Sequence, residues 1–383
     1  GSIHEGGELG YSLAHAYGAV LDNPKLVVAC IVGDGEAETG PLATSWHINK
    51  FINPKQDGFV LPILHLNGYK ISNPTILSRL SKKELTSLFE GYGYVPHFVE
   101  GSDPDKMHKL MAEAMDKCVE EMQAIRQYAK QKNAEFKPFP MIILRTPKGW
   151  TCPEVVNGKK IEGTFRAHQV PLTVETVEDL QLLKTWLKSY KPEELFDKNY
   201  RLKKEYASIS PKGDKRMCAT PYANAGLMLK DLILPELDNY EVKFKGRGTV
   251  LKQDMKELGN YIRDMFVLNK KNKNYRIFSP DEALSNRLNH VFEKENRSFN
   301  AKRYDYDEFL SGNGRVMDSY LSEHVCEGLL EGYILTGRHG MFDSYEAFIR
   351  VVDSMISQHT KWLKMCEHIK WRKPISSLHL VLT

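Results

Sequence analysis

The sequence predicts an α/β protein with two parallel-sheet domains joined by a linker. Short apolar, β-rich runs alternate with helical patterns between residues 26 and 144, and a similar alternation begins near residue 249. Such alternation favours parallel sheets that are covered by helices on both faces. A charged stretch interrupted by proline and glycine separates the two parts. We therefore predict a first domain at 1–185, a connecting segment at 186–246 and a second domain at 247–383.

The composition is typical of a soluble enzyme. The 383 residues are 42% apolar, which is enough for the cores of two or three domains. The 53 basic and 49 acidic residues give a net charge of +4, too balanced for a protein that binds nucleic acid through its charge. The six cysteines form no CxxC pair, and no apolar run is long enough to span a membrane. We expect a cytoplasmic protein with reduced thiols and without nucleic-acid or membrane partners.

Polar residues follow the first two apolar runs, at the points where the predicted strands end. The run at 26–32 leads through Gly33 into Asp34, and the run at 60–66 leads into Asn67. A helix-like segment at 44–51 lies between the two runs. Because ligands bind at the carboxyl ends of parallel strands, we predict that the two polar residues leave neighbouring strands at the same edge of the sheet.

These two residues suit a metal ion that is bound to phosphate. A carboxylate, an amide oxygen and a nearby backbone carbonyl form the hard-oxygen set that Mg²⁺ prefers, with phosphate oxygens and water in its remaining positions. Glycines at positions 33, 35 and 68 let the backbone come close to a phosphate. Asp-Gly is also an ordinary turn dipeptide, so the motif alone leaves both a turn and a ligand site open.

Two more strands complete the first domain. They are predicted at about 95–99 and at 140–144, and a long amphipathic helix between Lys106 and Gln131 connects them. The loops after the last strand carry Lys148 and His168 at the same sheet edge. The glycine-dense start of the chain leads into a helix, an arrangement that suits an anion.

The second domain shows the same alternation. A helix at about 252–268 precedes a short strand at 276–278 and a polar segment at 279–288. The three-residue spacing of aromatic side chains predicts a helix over 340–348. An apolar strand at 375–383 ends the sequence.

Four charged residues have ordinary interpretations when the residues are considered alone. Lys148 and His168 are then solvated loop residues, and Arg287 is a surface arginine on a helix. Glu323 is a carboxylate at the start of a helix, where it interacts with free backbone N–H groups.

A family resemblance changes these interpretations. Gly33-Asp34-Gly35, followed 33 residues after the aspartate by Asn67, resembles the thiamine diphosphate motif of the transketolase-like enzymes. The surrounding stretches GDGEAETGPLATSWH and LPILHLNGYKISNPT resemble those of the phosphoketolases. The resemblance implies the thiamine diphosphate-binding fold. It also implies that the first domain binds the diphosphate but lacks its N-terminal part, and that the second binds the pyrimidine and is represented by its N-terminal part only.

The resemblance also implies roles for individual residues. Metal ligands would be the side chains of Asp34 and Asn67 and the carbonyl of Tyr69, and the catalytic residues would be Glu323 and His168. The sugar phosphate would contact Gln169, Ser285 and Arg287. The full set of implied cofactor contacts is Gly6, Asp34, Gly35, Glu36, Asn67, Tyr69, Lys148, His168, Glu323, Tyr345 and Phe348.

The implied activity is that of an aldehyde-lyase that uses thiamine diphosphate and Mg²⁺. Inorganic phosphate would cleave xylulose 5-phosphate or fructose 6-phosphate to acetyl phosphate and a shorter aldose phosphate. The active site would lie between the subunits of a homodimer, so this chain alone is expected to be inactive. Two alternatives stay open: a transketolase that passes the two-carbon unit to an aldose, and a fragment without catalytic activity.

Overall fold

A computed structural model describes residues 8–131, 134–216, 219–318 and 320–383. The predicted cofactor contact Gly6 lies outside these residues. Within them, every helix is too short or too polar to cross a membrane.

The first sheet has four parallel strands in the order β1-β2-β4-β3. All four predicted strands are confirmed to within one or two residues. The prediction that helices cover both faces of the sheet is wrong for β1, because Val27 and Ile31 on this strand are 50% and 67% exposed. The strand bounds are β1 Val27–Gly33, β2 Phe59–Leu66, β3 Tyr94–Glu100 and β4 Phe139–Arg145.

The second sheet has six parallel strands in the order β12-β11-β7-β10-β8-β9. A short antiparallel hairpin of β5 Val155–Val156 and β6 Lys159–Lys160 lies between the two sheets in sequence. The bounds in the second sheet are β7 Tyr275–Phe278, β8 Arg297–Ser298, β9 Leu310–Ser311, β10 Val316–Met317, β11 His339–Ser344 and β12 His379–Leu382.

Several helices begin at caps that the sequence provides. Ser81 and Glu84 form a capping box at the start of α3, and Asp103 caps α4. The helix α5 runs across the boundary predicted at residue 185. The helices are α1 Ser12–Val20, α2 Gly40–Ser45, α3 Lys82–Tyr92, α4 Pro104–Ala129, α5 Val177–Ser189, α6 Pro192–Leu195, α7 Lys204–Ala207, α8 Asp254–Leu268, α9 Glu323–Ile334 and α10 Asp353–Cys366.

The helix predicted over 340–348 is wrong. The segment forms β11, which pairs with β7 on one side and β12 on the other, and then a 3₁₀ helix at Glu346–Val352. Phe342 is fully buried in the sheet, whereas Tyr345 follows the end of the strand. The aromatic spacing therefore crosses two elements and does not mark one helical face. The helix-like segment at 44–51 is likewise the end of α2 followed by a 3₁₀ helix.

The two sheets share one hydrophobic core, and α1 packs directly on α9 at its centre. Glycines allow the close approach of these helices. A Cβ atom added to Gly332 would lie 2.1 Å from the carbonyl oxygen of His15, and one added to Gly18 would lie 2.2 Å from that of Leu329. Backbone atoms cannot move aside as a flexible side chain can, so neither position has room for a larger residue.

We expect Gly332→Ala to destabilise the chain. Forcing a methyl group between packed backbones typically costs about 1–3 kcal/mol. Gly91→Ala is the matched control, because Gly91 is also helical but has open space around it. There alanine should stabilise by about 0.5–1 kcal/mol through its higher helix propensity. Urea unfolding of both variants measures the difference, and equal effects at the two glycines would contradict this packing.

A buried charge cluster joins the same two halves. Asp22, which follows α1, accepts hydrogen bonds from Arg276 Nε at 2.9 Å and from Arg315 Nη1 at 3.0 Å. It also accepts one from the Tyr333 hydroxyl at 2.7 Å, and Asp57 lies 3.5 Å from Arg276 Nη2. The negative charges of two carboxylates therefore balance the positive charges of two guanidinium groups in the interior. Burial opposes ionisation of Asp22, but the two arginines hold its pKa well below the usual range.

Candidate functional site

Asp34 and Asn67 lie at one edge of the first sheet. The register pairs Gly33 of β1 with His65 of β2, so the predicted neighbouring strand ends are confirmed. The Asp34 carboxylate is 2% exposed. Its Oδ2 accepts hydrogen bonds from Gly68 N at 2.7 Å and from Thr75 Oγ1 at 3.1 Å. The aspartate therefore ties the end of β1 to the loop that follows β2.

The loop after β2 brings an amide, a carbonyl and an ammonium group to the same edge. Asn67 Oδ1 accepts a hydrogen bond of 3.3 Å from Tyr69 N. The Tyr69 carbonyl accepts a hydrogen bond of 2.8 Å from Lys148 Nζ, so the structure brings these two predicted site residues into contact. Burial lowers the pKa of Lys148, while the carboxylate of Asp34 acts in the opposite direction. We call Asp34, Gly35, Asn67, Tyr69 and Lys148 the first-edge group.

The imidazole of His65 also belongs to this edge, and the sequence analysis missed it. His65 Nε2 lies 2.9 Å from Thr146 Oγ1. Burial lowers the pKa of His65, the charge of Asp34 raises it and that of Lys148 lowers it again. Strand alternation was the available signal, because residues two apart on a strand share a face and His65 precedes Asn67 by two.

Two glutamates in the loop that follows β1 bind this loop to neighbouring segments. Glu36 Oε1 accepts hydrogen bonds from Gly10 N at 3.1 Å and Ser12 Oγ at 2.8 Å, so this predicted cofactor contact holds the start of α1. Glu38 lies 2.8 Å from Lys70 Nζ and accepts from two backbone N–H groups of the next loop. No motif in the sequence pointed to Glu38.

Two predicted substrate residues have unusual backbone conformations. Gln169 and Arg287 adopt positive φ angles of 61° and 64°. Such conformations cost free energy in residues with a side chain, and they concentrate at functional sites. His168 is half-buried and ends the short 3₁₀ turn Phe165–Ala167. The loop that carries His168 and Gln169 and the loop that carries Arg287 therefore each contain a strained turn.

A second polar group lies at the carboxyl edge of the second sheet. The Tyr345 hydroxyl donates a 2.6 Å hydrogen bond to Ser285 Oγ, which joins two residues predicted for different ligands. The rings of Tyr345 and Phe348 lie 5.7 Å apart. Glu282 was missed by the sequence analysis, and its carboxylate accepts a hydrogen bond from Tyr345 N at 3.0 Å. It therefore fixes the turn that presents the tyrosine.

Glu323 is the first residue of α9, directly after its cap Ser322. Burial raises the pKa of Glu282, and the nearby negative charge of Glu323 raises it further. The Glu323 carboxylate therefore lies near enough to the second sheet edge to repel that of Glu282. The next residue, His324, stacks on Tyr11 with ring centroids 6.0 Å apart. We call Ser285, Glu323, Tyr345 and Phe348 the second-edge group.

Within the first-edge group, Asn67, Tyr69 and Lys148 are linked by hydrogen bonds. Within the second-edge group, Tyr345 contacts Ser285 and Phe348. Among the residues that the structure describes, no hydrogen bond, ion pair or ring contact joins the first-edge group directly to the second-edge group.

A buried carboxyl group lies one turn beyond Glu323 on α9. Glu327 is fully buried, and neither of its oxygens has a hydrogen-bond partner among the described residues. Burial, and then the neighbouring Glu331, raise its pKa to about 9. The side chain is therefore a neutral carboxylic acid near pH 7.

This raised pKa predicts a specific pH dependence of stability. Between the ordinary pKa of 4.5 and about 9, the folded chain holds a proton on Glu327 that the unfolded chain releases. The free energy of unfolding should therefore fall by up to about 1.4 kcal/mol per pH unit as the pH rises. In Glu327→Gln this slope should be absent, whereas Glu113→Gln on an exposed face should keep it. Parallel stability curves for wild type and Glu327→Gln would contradict the assignment.

Comparison with known proteins identifies the family. A model described as the XFP N-terminal domain matches residues 1–228. The chain belongs to the phosphoketolase family. A second model, described as D-xylulose 5-phosphate/D-fructose 6-phosphate phosphoketolase, matches residues 256–383. These matches confirm the resemblance to the phosphoketolases that the stretches around Asp34 and Asn67 indicated.

Curated relatives cover the whole chain. A probable phosphoketolase from Clostridium acetobutylicum is 60% identical, with 100% of this chain and 49% of that protein aligned. Another from Gloeobacter violaceus is 56% identical, with 100% of this chain and 48% of that protein aligned. The chain thus spans about half the length of these phosphoketolases.

Solved structures show the fold. A Campylobacter jejuni transketolase matches 90% of this chain and 48% of its own, with a TM-score of 0.51 and 15% identity. A Pichia stipitis transketolase variant in complex with xylulose 5-phosphate matches 94% of this chain and 51% of its own, with a TM-score of 0.53 and 14% identity. The predicted α/β class with parallel sheets is confirmed as a transketolase-like fold.

Proposed function

We propose that this chain contributes the cofactor-binding residues of a phosphoketolase that acts on xylulose 5-phosphate or fructose 6-phosphate. Inorganic phosphate is the second substrate. The products are acetyl phosphate, water and glyceraldehyde 3-phosphate or erythrose 4-phosphate. The observation that carries the proposal is the convergence of Asp34, Asn67 and Tyr69 at one sheet edge in a chain of the phosphoketolase family.

The first-edge group fits Mg²⁺ and the diphosphate of thiamine diphosphate. One carboxylate, one amide oxygen and one backbone carbonyl are hard oxygen donors of the kind that Mg²⁺ takes together with phosphate oxygens. The ammonium of Lys148, held at the Tyr69 carbonyl, adds positive charge for the diphosphate. Asp34 is already oriented by Gly68 and Thr75, so metal binding requires little rearrangement of the carboxylate.

The second-edge group fits the pyrimidine end of the cofactor. When bound, thiamine diphosphate supplies the electron sink for cleavage of the bond beside the substrate carbonyl. Glu323 would hydrogen-bond the pyrimidine N1′ atom and share its proton, and Tyr345 and Phe348 would hold the pyrimidine ring. Ser285 and Arg287 bind the sugar phosphate with Gln169, because a guanidinium fork matches phosphate oxygens. His168 would supply or accept protons during the loss of water that the proposed reaction requires.

A homodimer would complete the site. As the family resemblance implies, the first-edge group of one subunit would meet the second-edge group of its partner. The isolated chain is then inactive or nearly so. A cytoplasmic location is supported by the unpaired state of the described cysteines Cys30, Cys118, Cys152, Cys326 and Cys366.

Product analysis tests this function. We suggest a chimera in which this chain replaces the matching half of the Clostridium acetobutylicum relative, with the unaltered relative as control. Incubated with xylulose 5-phosphate and phosphate, the chimera should form acetyl phosphate and glyceraldehyde 3-phosphate in equal amounts. Transfer of the two-carbon unit to added ribose 5-phosphate, without acetyl phosphate, would instead indicate a transketolase. An inactive chimera that folds and dimerises like the control would favour a non-catalytic chain.

A further inference from the structure

A cavity of about 180 Å³ opens between the carboxyl ends of β2 and β4. Its walls include the guanidinium-bearing side chains of Arg79 and Arg145, the hydroxyl-bearing Ser78 and Thr146, and the loop from Asn67 to Tyr69. None of its lining residues is an aspartate or a glutamate. We propose that this cavity, which we call the arginine cavity, binds inorganic phosphate. The choice of ligand rests on the proposed function.

The charge of Arg145 is only partly compensated. Its Nε lies 3.3 Å from Glu100 Oε1, but Nε and Nη2 are buried and make no hydrogen bond among the described residues. A buried charged donor without a hydrogen bond is costly, typically by about 1–3 kcal/mol. The side chain as a whole is 37% exposed, so an anion in the cavity would add a second negative charge near the guanidinium group without reaching these two nitrogens.

Arg79 supplies the second positive charge. Its side chain is exposed, and its guanidinium carbon lies 5.6 Å from the centre of the Tyr69 ring. No carboxylate of the described chain is within ion-pair distance of it. Two arginines therefore line one cavity, Arg79 without an ion-pair partner among the described residues and Arg145 paired only with Glu100. Guanidinium forks bind phosphate oxygens in pairs, which favours a tetrahedral oxyanion over a carboxylate or a neutral ligand.

The arginine cavity lies directly beside the first-edge group. The loop Asn67–Tyr69 forms a wall of the cavity and also carries the proposed metal ligands. The Tyr69 carbonyl of the same loop accepts a hydrogen bond from the ammonium of Lys148. A phosphate bound by Arg79 and Arg145 would therefore lie beside the loop that is proposed to hold the metal and the cofactor diphosphate.

The size of the cavity selects a small ligand. Its volume corresponds to about six water molecules at ~30 Å³ each, below the ~300 Å³ at which pockets for drug-sized ligands begin. This suits a single phosphate group. Two ligands could place a single phosphate group in this cavity: free phosphate, or the cofactor through its terminal phosphate. We infer free phosphate, because the proposed reaction consumes it as a second substrate.

Phosphate binding to the 383-residue chain tests the site directly. Inorganic phosphate is titrated at constant ionic strength and followed by ³¹P NMR line broadening. Arg79→Gln and Arg145→Lys should each weaken binding by about tenfold or more, the effect of losing one charge-assisted or paired hydrogen bond. Arg166→Gln, at an exposed arginine in a neighbouring loop, should leave the affinity unchanged. Because Arg79 is exposed, its variant should fold even if Arg145→Lys does not.

A second titration identifies the source of the phosphate. With saturating thiamine diphosphate and Mg²⁺, the affinity for phosphate should change by less than about threefold. A change of that size is expected when nearby charges interact only weakly with the bound phosphate. Competitive displacement by the cofactor would assign the cavity to its terminal phosphate and overturn the proposal. Absence of phosphate binding by the wild type, or equal binding by Arg79→Gln, would also overturn it. These binding measurements do not require catalytic turnover. Their outcome is therefore independent of the product analysis that tests the proposed function.

Discussion

Replacing Glu323 with glutamine is expected to lower turnover of the chimera by at least about 10²-fold, the usual effect of removing a positioned acid–base group. Glutamine has nearly the same shape, but it cannot share a proton with the pyrimidine N1′ atom. Exchange of the thiazolium C2 proton of the bound cofactor for deuterium, followed by NMR after acid quenching, measures the affected step without the later chemistry.

The matched control for this substitution is Glu346→Gln. Glu346 is exposed and also begins a helical segment, so it reproduces the loss of a carboxylate at a helix start. Each substitution should change stability by only about 0.3–1 kcal/mol through the helix dipole. Only Glu323→Gln should slow the exchange. An exchange rate like that of the wild type in Glu323→Gln would show that another group performs this role.

Asp22→Asn is expected to give the largest loss of stability, about 3–5 kcal/mol, because it leaves buried guanidinium groups without their partner. The variant loses one of two carboxylates that balance Arg276 and Arg315. Asparagine tolerates the positive φ of 57° at this position, so the backbone adds little to the effect. Urea unfolding of the 383-residue chain measures the change in the free energy of unfolding.

The pH dependence separates this charge effect from a packing effect. The folded-state pKa of Asp22 is depressed, so its stabilisation is present above the unfolded pKa of about 3.9 and is lost as the pH falls below it. The difference in the free energy of unfolding between wild type and Asp22→Asn should therefore become smaller at acid pH. Asp116→Asn, on the exposed face of α4, should stay within about 0.5 kcal/mol of wild type. A gap that is constant with pH would argue against the charge cluster.

The neighbouring positions of Asp34 and Asn67 could be predicted because two kinds of residue mark the strand ends in the sequence. Apolar β-rich runs locate the strands, and Asp34 and Asn67 are the first strong polar residues after two of them. Parallel pairing then requires the two ends to meet, and the register of Gly33 with His65 confirms it. The family resemblance, and not periodicity, selected Glu323, Tyr345 and Phe348 from the second domain.

Other features depend on tertiary contacts that no local pattern encodes. The helix predicted over 340–348 failed because β11 is buried between two strands, and burial allowed aromatic residues at any spacing. The cluster around Asp22 joins residues more than 250 positions apart in sequence. Arg79 and Arg145 come together only because β4 lies beside β2 in the sheet order. Spacing within one segment cannot predict such pairs.

Calorimetric titration tests whether Mg²⁺ and the cofactor diphosphate bind at the carboxyl edge of the first sheet, as we propose. Thiamine diphosphate is titrated into the chimera with and without Mg²⁺, and into the same chimera carrying Asp34→Ala. We expect binding to require Mg²⁺ and to weaken by at least about 10²-fold in Asp34→Ala, since one charged ligand commonly contributes ~3 kcal/mol. Affinity that stays the same without Mg²⁺ or without the Asp34 carboxylate would contradict the assignment of this edge.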